Sequence, residues 1–189
     1  MIVNKALETP KNEMTLVAQA KADPAAFEAI YDFYFTKVYN YVRYRVWNPG
    51  LADDLTSDVF EKVLSKLHTY NPERGSFSAW LFAIARNTVN YSLRKQRIRQ
   101  WLSLEQIHDL AGKEPDSDEA VIMNETRHEL LMAIDQLSER EREIIALKFT
   151  SNLTNRAIAS LTGLNEGHVA VLLHRAIRRI GAQLDRDEV

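Results

Sequence analysis

Residues 77–101 read FSAWLFAIARNTVNYSLRKQRIRQW, and the character of this stretch changes halfway along. Its first half is apolar and aromatic, whereas residues 86–101 carry five positive charges and no negative charge. Ser76 directly precedes the stretch as an N-cap residue, which predicts one long helix from there. Six Gly and five Pro in 189 residues leave other stretches equally uninterrupted, so the sequence as a whole predicts an all-α fold.

At 100° per residue, the side chains of this helix separate into two apolar strips and one polar stripe. The strips comprise Trp80, Leu81, Ile84, Thr88 and Tyr91 on one side and Phe82, Val89 and Leu93 on the other. The stripe between them, called the basic stripe below, comprises Arg86, Asn87, Asn90, Arg94 and Arg97. Arginine neutralises phosphate and asparagine can hydrogen-bond base edges, so the stripe predicts a nucleic-acid contact. The alternative is a solvated face, but such faces normally mix charges of both signs.

Charge is segregated along the chain, although the formal net charge is only −2. Residues 103–126 carry seven acids and one lysine. A nucleic-acid-binding protein needs a basic face rather than a basic composition, so the near-neutral total does not oppose the prediction. We interpret residues 102–119, which are acidic and lack an apolar period, as a flexible linker. The linker divides the chain into a first module, residues 1–101, and a second module, residues 120–189.

Location is predicted from what the sequence lacks. It contains no Cys, which excludes disulfides and thiolate metal sites and is compatible with a reducing cytoplasm. It has no run of about 18 apolar residues, and its N-terminus lacks the apolar core of a signal peptide. We therefore expect no membrane insertion and a cytoplasmic protein.

Two further helices are predicted in the first module. The first follows an Asp-Pro capping pair at residues 23–24 and ends at the Asn-Pro-Gly segment, residues 48–50. The second is expected from about Ala52 to Leu67. Its first turn carries Asp53 and Asp54, which suit the positive end of the helix dipole.

The second module contains a helix-turn-helix pattern in residues 154–176, TNRAIASLTGLNEGHVAVLLHRA. Ala159 is small where two helices would cross, and Gly163 suits the positive φ that the turn requires. The last helix, expected from a cap at Asn165 to about Leu184, would enter the major groove. The apolar core between the helices would consist of Ile158, Leu164 and Val169.

One part of this pattern opposes base reading by the last helix. Its groove-facing positions hold Ala170, Val171 and Leu172, where polar or basic side chains belong. The alternative is that these residues pack on a neighbouring helix or on a partner protein. Three arginines farther along the same helix favour DNA: Arg175, Arg178 and Arg179.

Together, the motifs resemble those of bacterial sigma factors of the extracytoplasmic-function group, short proteins that contain sigma regions 2 and 4. Residues 52–67, ADDLTSDVFEKVLSKL, resemble the region 2 helix that docks on the β′ clamp helices of RNA polymerase. Residues 77–98 resemble the part that melts and reads the −10 promoter element, and residues 68–75 resemble the loop that captures a flipped base. Residues 137–149, LSEREREIIALKF, and 158–180 resemble region 4, which reads the −35 element and touches the β flap.

The resemblance implies three sets of site residues. The polymerase-docking set is Asp53, Asp54, Leu55, Asp58, Val59 and Phe60. The set for the −10 element, completed from the basic stripe, is Tyr70, Asn71, Arg86, Asn87, Asn90, Arg94 and Arg97. The set for the −35 element is Arg156, Asn165, Glu166, His168, Arg175 and Arg178. Tyr70 and Phe77 are candidate stacking surfaces for bases, and core packing is the alternative for both.

The implied partners are core RNA polymerase, promoter DNA and an anti-sigma factor, and we expect no cofactor and no bound metal. A rival interpretation is a helical protein-interaction regulator of transcription whose second module does not read DNA. A nucleic-acid enzyme is disfavoured, because the sequence shows no carboxylate pair beside His, no metal-ligand cluster and no glycine-rich phosphate loop. We therefore expect a promoter-specificity subunit without catalytic residues, which directs core polymerase to promoters and helps to open the −10 element.

Overall fold

The computed structural model describes residues 13–102 and 128–187, and all regular structure in these two ranges is helical. The all-α prediction is therefore confirmed. From here on, the first module means residues 13–102 and the second module means residues 128–187. The predicted linker, apart from Leu102, and residues 120–127 at the start of the predicted second module lie outside the described residues.

Four α-helices make up the first module: α1 (Glu13–Ala22), α2 (Phe27–Arg45), α3 (Pro49–Lys66) and α4 (Phe77–Leu102). Short 3₁₀ turns at Pro24–Ala26, Leu67–Thr69 and Pro72–Arg74 connect them. The predicted cap before α2 is confirmed, because Asp23 Oδ1 accepts a hydrogen bond from the Ala25 amide at 2.9 Å. The cap before α4 is confirmed as well, because Ser76 Oγ accepts from the Ala79 amide at 3.2 Å.

α3 begins three residues earlier than the sequence predicted. Asn48 is its N-cap, and the Asn48 side chain accepts a hydrogen bond from the Leu51 amide at 3.0 Å. Pro49 occupies the first helical position, where its fixed φ suits the helix and its missing amide hydrogen is no loss. The Asn-Pro-Gly segment that we expected only to break the chain therefore starts the next helix.

The core of the first module lies between α2, α3 and α4. Tyr41 and Phe82 are fully buried and meet edge to face, with ring centroids 5.6 Å apart. Val59 of α3 and Leu81 of α4 are also fully buried. The apolar side of α4 therefore anchors this helix as predicted, except that Tyr91 remains exposed.

The second module consists of α5 (helical residues 128–135), α6 (Glu139–Ser151), α7 (Asn155–Thr162) and α8 (Glu166–Asp187). A capping box starts α6, with the side chains of Ser138 and Glu141 each accepting a hydrogen bond from the other's backbone amide. Thr154 caps α7, accepting from the Ala157 amide at 3.2 Å. Asn165 caps α8, accepting from the His168 amide at 2.7 Å.

α7 and α8 form the predicted helix-turn-helix. Gly163 ends α7 with φ at +74°, the left-handed conformation that the turn requires of it. Ile158 and Val169 are fully buried between the two helices, and Ala159 is nearly so. The turn therefore holds α8 at a fixed angle to α7, with the start of α8 facing solvent.

The two modules pack against each other. α6 of the second module lies mainly against α2 of the first, and the buried side chains of both modules form one continuous apolar cluster. Across the same interface, Ser78 Oγ on α4 donates to the backbone oxygen of Ser151 at 2.9 Å. The two modules that the predicted flexible linker divides are therefore packed together in the structure, because apolar burial between them favours their association.

In residues 13–102 and 128–187, no helix is both long and apolar enough to span a lipid bilayer.

Candidate nucleic-acid interface

The basic stripe lies on the side of α4 away from its buried anchor. Leu81, Ala85 and Val89 are fully buried and fix the rotation of the helix. On the outward side, Asn87 and Arg94 are exposed to solvent. The structure therefore brings the stripe residues onto one helical face, as predicted, but they do not share one environment.

Arg86 and Asn90 belong to a cluster that joins the two modules. At its centre is Glu143 of α6, whose Oε1 lies 2.9 Å from Arg86 Nε and 3.1 Å from Arg45 Nη1. Asn90 Nδ2 donates to the same oxygen at 3.4 Å, and Arg45 Nη2 donates to Asn90 Oδ1 at 2.9 Å. The side chains of Arg45 and Glu143 are only 6% and 8% exposed. These four residues are called the Glu143 cluster below.

The carboxylate of Glu143 is held in its charged form. Burial by itself raises the pKa of this carboxyl, but the guanidinium groups of Arg45 and Arg86 outweigh that effect. The pKa of Glu143 therefore lies below its ordinary value of 4.5. Burial also raises the pKa of the adjacent Tyr41 to about 12, so its phenol stays neutral. At neutral pH the cluster thus contains two cations and one anion.

Sequence reasoning missed Arg45. It follows Val38, Tyr41 and Val42 at helical spacing, and all three are fully buried. An arginine that continues an apolar helical face is the signal that could have identified it, because a buried cation requires a partner. Here the partner is Glu143, which comes from the other module.

A second contact lies farther along the same surface. Arg97 of the basic stripe forms an ion pair with Glu139 at the start of α6, and both side chains are more than half exposed. A cleft of about 580 Å³ lies between this pair and the Glu143 cluster, and Arg94 and Arg140 also line it. Exposed ion pairs contribute little to stability, so the buried Glu143 cluster is the main polar contact between the stripe and α6.

The residues predicted for the −35 element lie on the solvent side of the helix-turn-helix. Arg156 Nε is 3.6 Å from Glu166 Oε2, and both side chains are mostly exposed. Leu172 is only 7% exposed and belongs to the core, so the apolar patch predicted on α8 is reduced to the exposed Ala170 and Val171. The remaining exposed members of the predicted set are Asn165, His168, Arg175 and Arg178.

The predicted docking residues of α3 separate into two groups. Asp53, Asp54 and Asp58 are exposed along one edge of the helix. The apolar members are buried in the first module and cannot contact a partner directly in this structure. They are Leu55, Val59 and Phe60.

The loop between α3 and α4 places its aromatic residue inward. Tyr70 is 7% exposed, its hydroxyl donates to the Gly75 backbone oxygen at 3.1 Å, and its ring packs edge to face on Phe77. Both rings are packed in the core, which was the alternative to base stacking, so neither is a free stacking surface in this structure. Asn71 is exposed in the same loop, and its side chain accepts from the Glu73 amide at 2.9 Å.

Comparison with known proteins identifies both modules. The family model for sigma-70 region 2 matches residues 30–99, and the model for sigma-70 region 4 matches residues 127–180. Among curated proteins, the extracytoplasmic-function (ECF) sigma factor BldN of Streptomyces coelicolor is 33% identical over 175 residues, which cover 92% of this chain and 66% of BldN. RpoE of Cereibacter sphaeroides, another ECF sigma factor, is 30% identical over 158 residues, which cover 84% of this chain and 86% of RpoE.

Solved structures with the same fold include CnrH in complex with the cytosolic domain of CnrY, which has a TM-score of 0.65. The two chains are 22% identical, and the match covers 93% of this chain and 98% of that chain. The sigma factor RpoE of Bartonella quintana, in complex with the anti-sigma factor NepR, also has a TM-score of 0.65, with 20% identity over 84% of this chain and 96% of that chain. The chain belongs to the ECF RNA polymerase sigma factors. Its function is that of this class, to direct RNA polymerase to promoters in transcription initiation. The first module is region 2 and the second module is region 4.

Proposed function

We propose that three helices divide the work of this sigma factor: α3 docks core RNA polymerase, α4 contacts the −10 element and α8 contacts the −35 element. The observation that carries the proposal is the basic stripe of α4. Residues 86–101 contain five cations and no acid, and the stripe they contribute to lies on a helix whose other side is anchored in the core. Sigma factors are generally regulators rather than enzymes, and we assign no catalytic residue to this one.

Docking of core polymerase is assigned to the acidic edge of α3. Asp53, Asp54 and Asp58 are exposed together, and carboxylates form strong, charge-assisted hydrogen bonds with arginine or lysine on a partner helix. The proposed partner is the clamp-helix segment of the β′ subunit. The buried apolar residues of α3 act indirectly by fixing the position of this edge.

Recognition of the −10 element is assigned to the basic stripe and the loop before α4. Arg94 and Asn87 are open to solvent and suit phosphate and base edges, respectively. Asn71 is exposed in the loop and suits a base that has left the stack. Arg86 and Asn90 complete the contact surface once α6 no longer covers them.

Recognition of the −35 element is assigned to the start of α8, with Asn165, Glu166 and His168 near base edges and the later arginines on phosphates. Because Ala170 and Val171 offer only apolar contact, such as contact with a thymine methyl group, we expect a weakly defined −35 sequence. The polymerase β flap is the proposed protein contact of region 4.

Two further proposals rest on analogy. The RpoE structure from Bartonella quintana contains an anti-sigma factor, and we propose that a protein of that kind controls this chain. We also propose that the chain works in the cytoplasm, together with the polymerase. The exposed Ala170 and Val171 favour a second candidate for region 4, a protein-docking surface in place of a base-reading one.

Transcription in vitro from a DNA library with added core polymerase tests these assignments. We expect promoter-dependent transcripts with the wild-type chain and a large loss with Asp54→Arg, which reverses a charge at the docking edge. The matched control is Glu129→Arg, which reverses an exposed charge on α5. If Asp54→Arg still co-purifies with core polymerase as the wild type does, α3 is not the docking helix.

A further inference from the structure

The Glu143 cluster combines two side chains of the proposed −10 surface with an acid from region 4. We propose that Arg45, Arg86 and Asn90 form a binding site for a backbone phosphate of single-stranded promoter DNA, and that Glu143 occupies this site while the modules are packed together. The inference rests on the proposed function of α4 and adds Arg45 to its DNA contacts. It makes region 4 an internal competitor of DNA for region 2.

The chemistry of the site is that of phosphate binding. Nitrogens of Arg45, Arg86 and Asn90 approach one carboxylate oxygen at 3.1, 2.9 and 3.4 Å, so the three side chains of region 2 converge on a single acceptor. Guanidinium groups bind carboxylate and phosphate with the same geometry. A DNA phosphate can therefore take the position that the carboxylate holds.

Arg45 of region 2 has its counter-charge in region 4. In the packed chain its side chain is 6% exposed, and the acid that compensates its charge is Glu143. When the modules separate, Arg45 loses this carboxylate, and its charge then needs water or another anion. The phosphate backbone of promoter DNA is an anion that a sigma factor binds, so it can supply this counter-charge to Arg45.

The spacing of the acids on α6 also matches an anionic strand. Glu139 and Glu143 are four residues apart, which places them on the same face of α6 about 6 Å apart along its axis. Glu139 pairs with Arg97 of the basic stripe, and Glu143 pairs with Arg86 of the same stripe. α6 therefore presents two negative charges, one after the other along its axis, to Arg97 and Arg86. We assign these two arginines to consecutive parts of a DNA strand.

The test compares Glu143→Gln with Glu129→Gln in the full chain without polymerase. Both variants remove one negative charge from region 4, but Glu129 is exposed on α5 and lies outside the cluster. The probe is a fluorescein-labelled single-stranded DNA of mixed sequence, about 20 nucleotides long, which exceeds the usual site size of such domains. Fluorescence anisotropy measures its affinity, and small-angle X-ray scattering measures the radius of gyration of each protein.

We expect Glu143→Gln to have a larger radius of gyration and to bind the probe about tenfold more tightly than Glu129→Gln, a size typical of coupling between sites. Adding Arg45→Gln to Glu143→Gln should weaken binding again. It should also lower the slope of log affinity against log salt concentration by about 0.7, the value for one phosphate contact on a single strand. Circular dichroism checks that each variant is folded, and Glu143→Asp, which keeps the charge but shortens the side chain, replaces Glu143→Gln if the latter does not fold.

Each other outcome overturns a separate part of the inference. A compact Glu143→Gln variant with unchanged affinity shows that Glu143 does not hold the modules together. An expanded variant with unchanged affinity, or an Arg45→Gln addition without effect, shows that the three side chains are not a phosphate site. Failure of the proposed function is recognised independently, because then neither the wild type nor Glu129→Gln supports transcription with core polymerase.

Discussion

The two helices assigned to promoter DNA, α4 and α8, are built alike but engaged differently. Both carry arginines on a helix anchored by apolar residues. On α4, the acid that binds Arg86 comes from the other module. On α8, Glu141 lies 2.8 Å from Arg179 and Glu166 lies near Arg156, both within region 4. An acid from another module leaves when the modules separate, whereas an acid from the same module stays. Separation of the modules would therefore free Arg86 on α4 and leave the ion pairs of α8 in place.

The largest expected difference between the acid that pairs with α4 and the acid that pairs with α8 is in their effect on stability. Glu143→Ala removes the counter-charge of Arg45 from the packed arrangement, and we expect it to lower the free energy of unfolding by about 3–5 kcal/mol, the usual cost of breaking a buried ion pair. Glu141→Ala is the matched change on the α8 side. Its partner Arg179 is 60% exposed and is hydrated when released, so the loss should be about 1–2 kcal/mol, mainly from the capping box.

Guanidinium chloride unfolding followed by circular dichroism measures both variants. The two glutamates are equally buried, at 8% and 5% exposure, so burial alone predicts equal losses. A Glu141→Ala variant less stable than Glu143→Ala would contradict the distinction between an acid that joins two modules and an acid within one.

The second prediction concerns pH. The pKa of Glu143 is lower in the folded chain than its ordinary value of 4.5, because Arg45 and Arg86 outweigh the opposing effect of burial. A depressed folded pKa means that the carboxylate stabilises the fold above the ordinary pKa and that this stabilisation is lost as the pH falls through the folded pKa. The other charged or titratable groups that face it are Arg45, Arg86 and Tyr41.

Glu143→Gln resembles the protonated acid and is the comparison for this effect. Its stability deficit relative to wild type should be complete at pH 7 and should shrink steadily below pH 4.5. Urea unfolding at a series of pH values measures the deficit. A deficit that is the same at pH 7 and in acid means that the charge of Glu143 is not what stabilises the interface.

The sequence predicted each helix more accurately than it predicted their arrangement. Caps at Asp23, Ser76 and Asn165 are local, because they depend on residues within three positions of each other, and all three are confirmed. The wheel of α4 is also local, and its stripe lies where the periodicity placed it. The pairing of Arg45 with Glu143 spans 98 positions, and no local pattern contains it.

Two sequence predictions were wrong because the same short stretch of sequence fits more than one local structure. Asn-Pro-Gly ends one helix, but the same Asn and Pro also suit the start of the next, which the structure has. Leu172 was assigned to the DNA-facing side of α8 from its position in the motif, whereas it lies in the core at 7% exposure. Helical periodicity places it only three residues after the fully buried Val169, which is the signal that favours the inward side.

The third prediction compares base reading by the two helices. Asn90→Ala should relax the preference at one base of the −10 element by about 1–3 kcal/mol, because an asparagine side chain can form two hydrogen bonds to an adenine edge. His168→Ala on α8 should change −35 preference less, because we expect the −35 sequence to be weakly defined to begin with. Transcription from a library with every base of one promoter varied measures both.

The outcome of that experiment distinguishes reading from simple opening of the modules. Asn90→Ala also removes two hydrogen bonds from the Glu143 cluster, so overall activity alone does not identify its role. Arg94→Ala is the control, because Arg94 is exposed in the basic stripe. Its loss removes a phosphate contact and should therefore lower transcription from every promoter variant equally. If Asn90→Ala likewise affects all promoter variants equally, it does not read a base. A −35 element as sharply constrained as the −10 element would overturn the lesser role of α8.

The smallest expected effect on stability belongs to the exposed pair of region 4. Arg156 and Glu166 are 87% and 55% exposed and 3.6 Å apart, so Arg156→Ala should change the free energy of unfolding by less than about 1 kcal/mol. Its effect on duplex DNA should be larger than its effect on stability. Without Arg156, the carboxylate of Glu166 faces the DNA backbone uncompensated and repels it.

Adding Glu166→Gln to Arg156→Ala separates the two contributions of the pair. If repulsion by Glu166 is the cause of weaker binding, the second change should restore part of the affinity for a labelled duplex, and more at low salt than at high salt. If Arg156 contacts a phosphate itself, the second change should restore nothing and the salt slope should fall by about 0.9, the value for one phosphate of duplex DNA. A loss of stability as large as that of Glu143→Ala would instead mean that this surface pair supports the fold, and that exposure does not distinguish the ion pairs of α8 from those of α4.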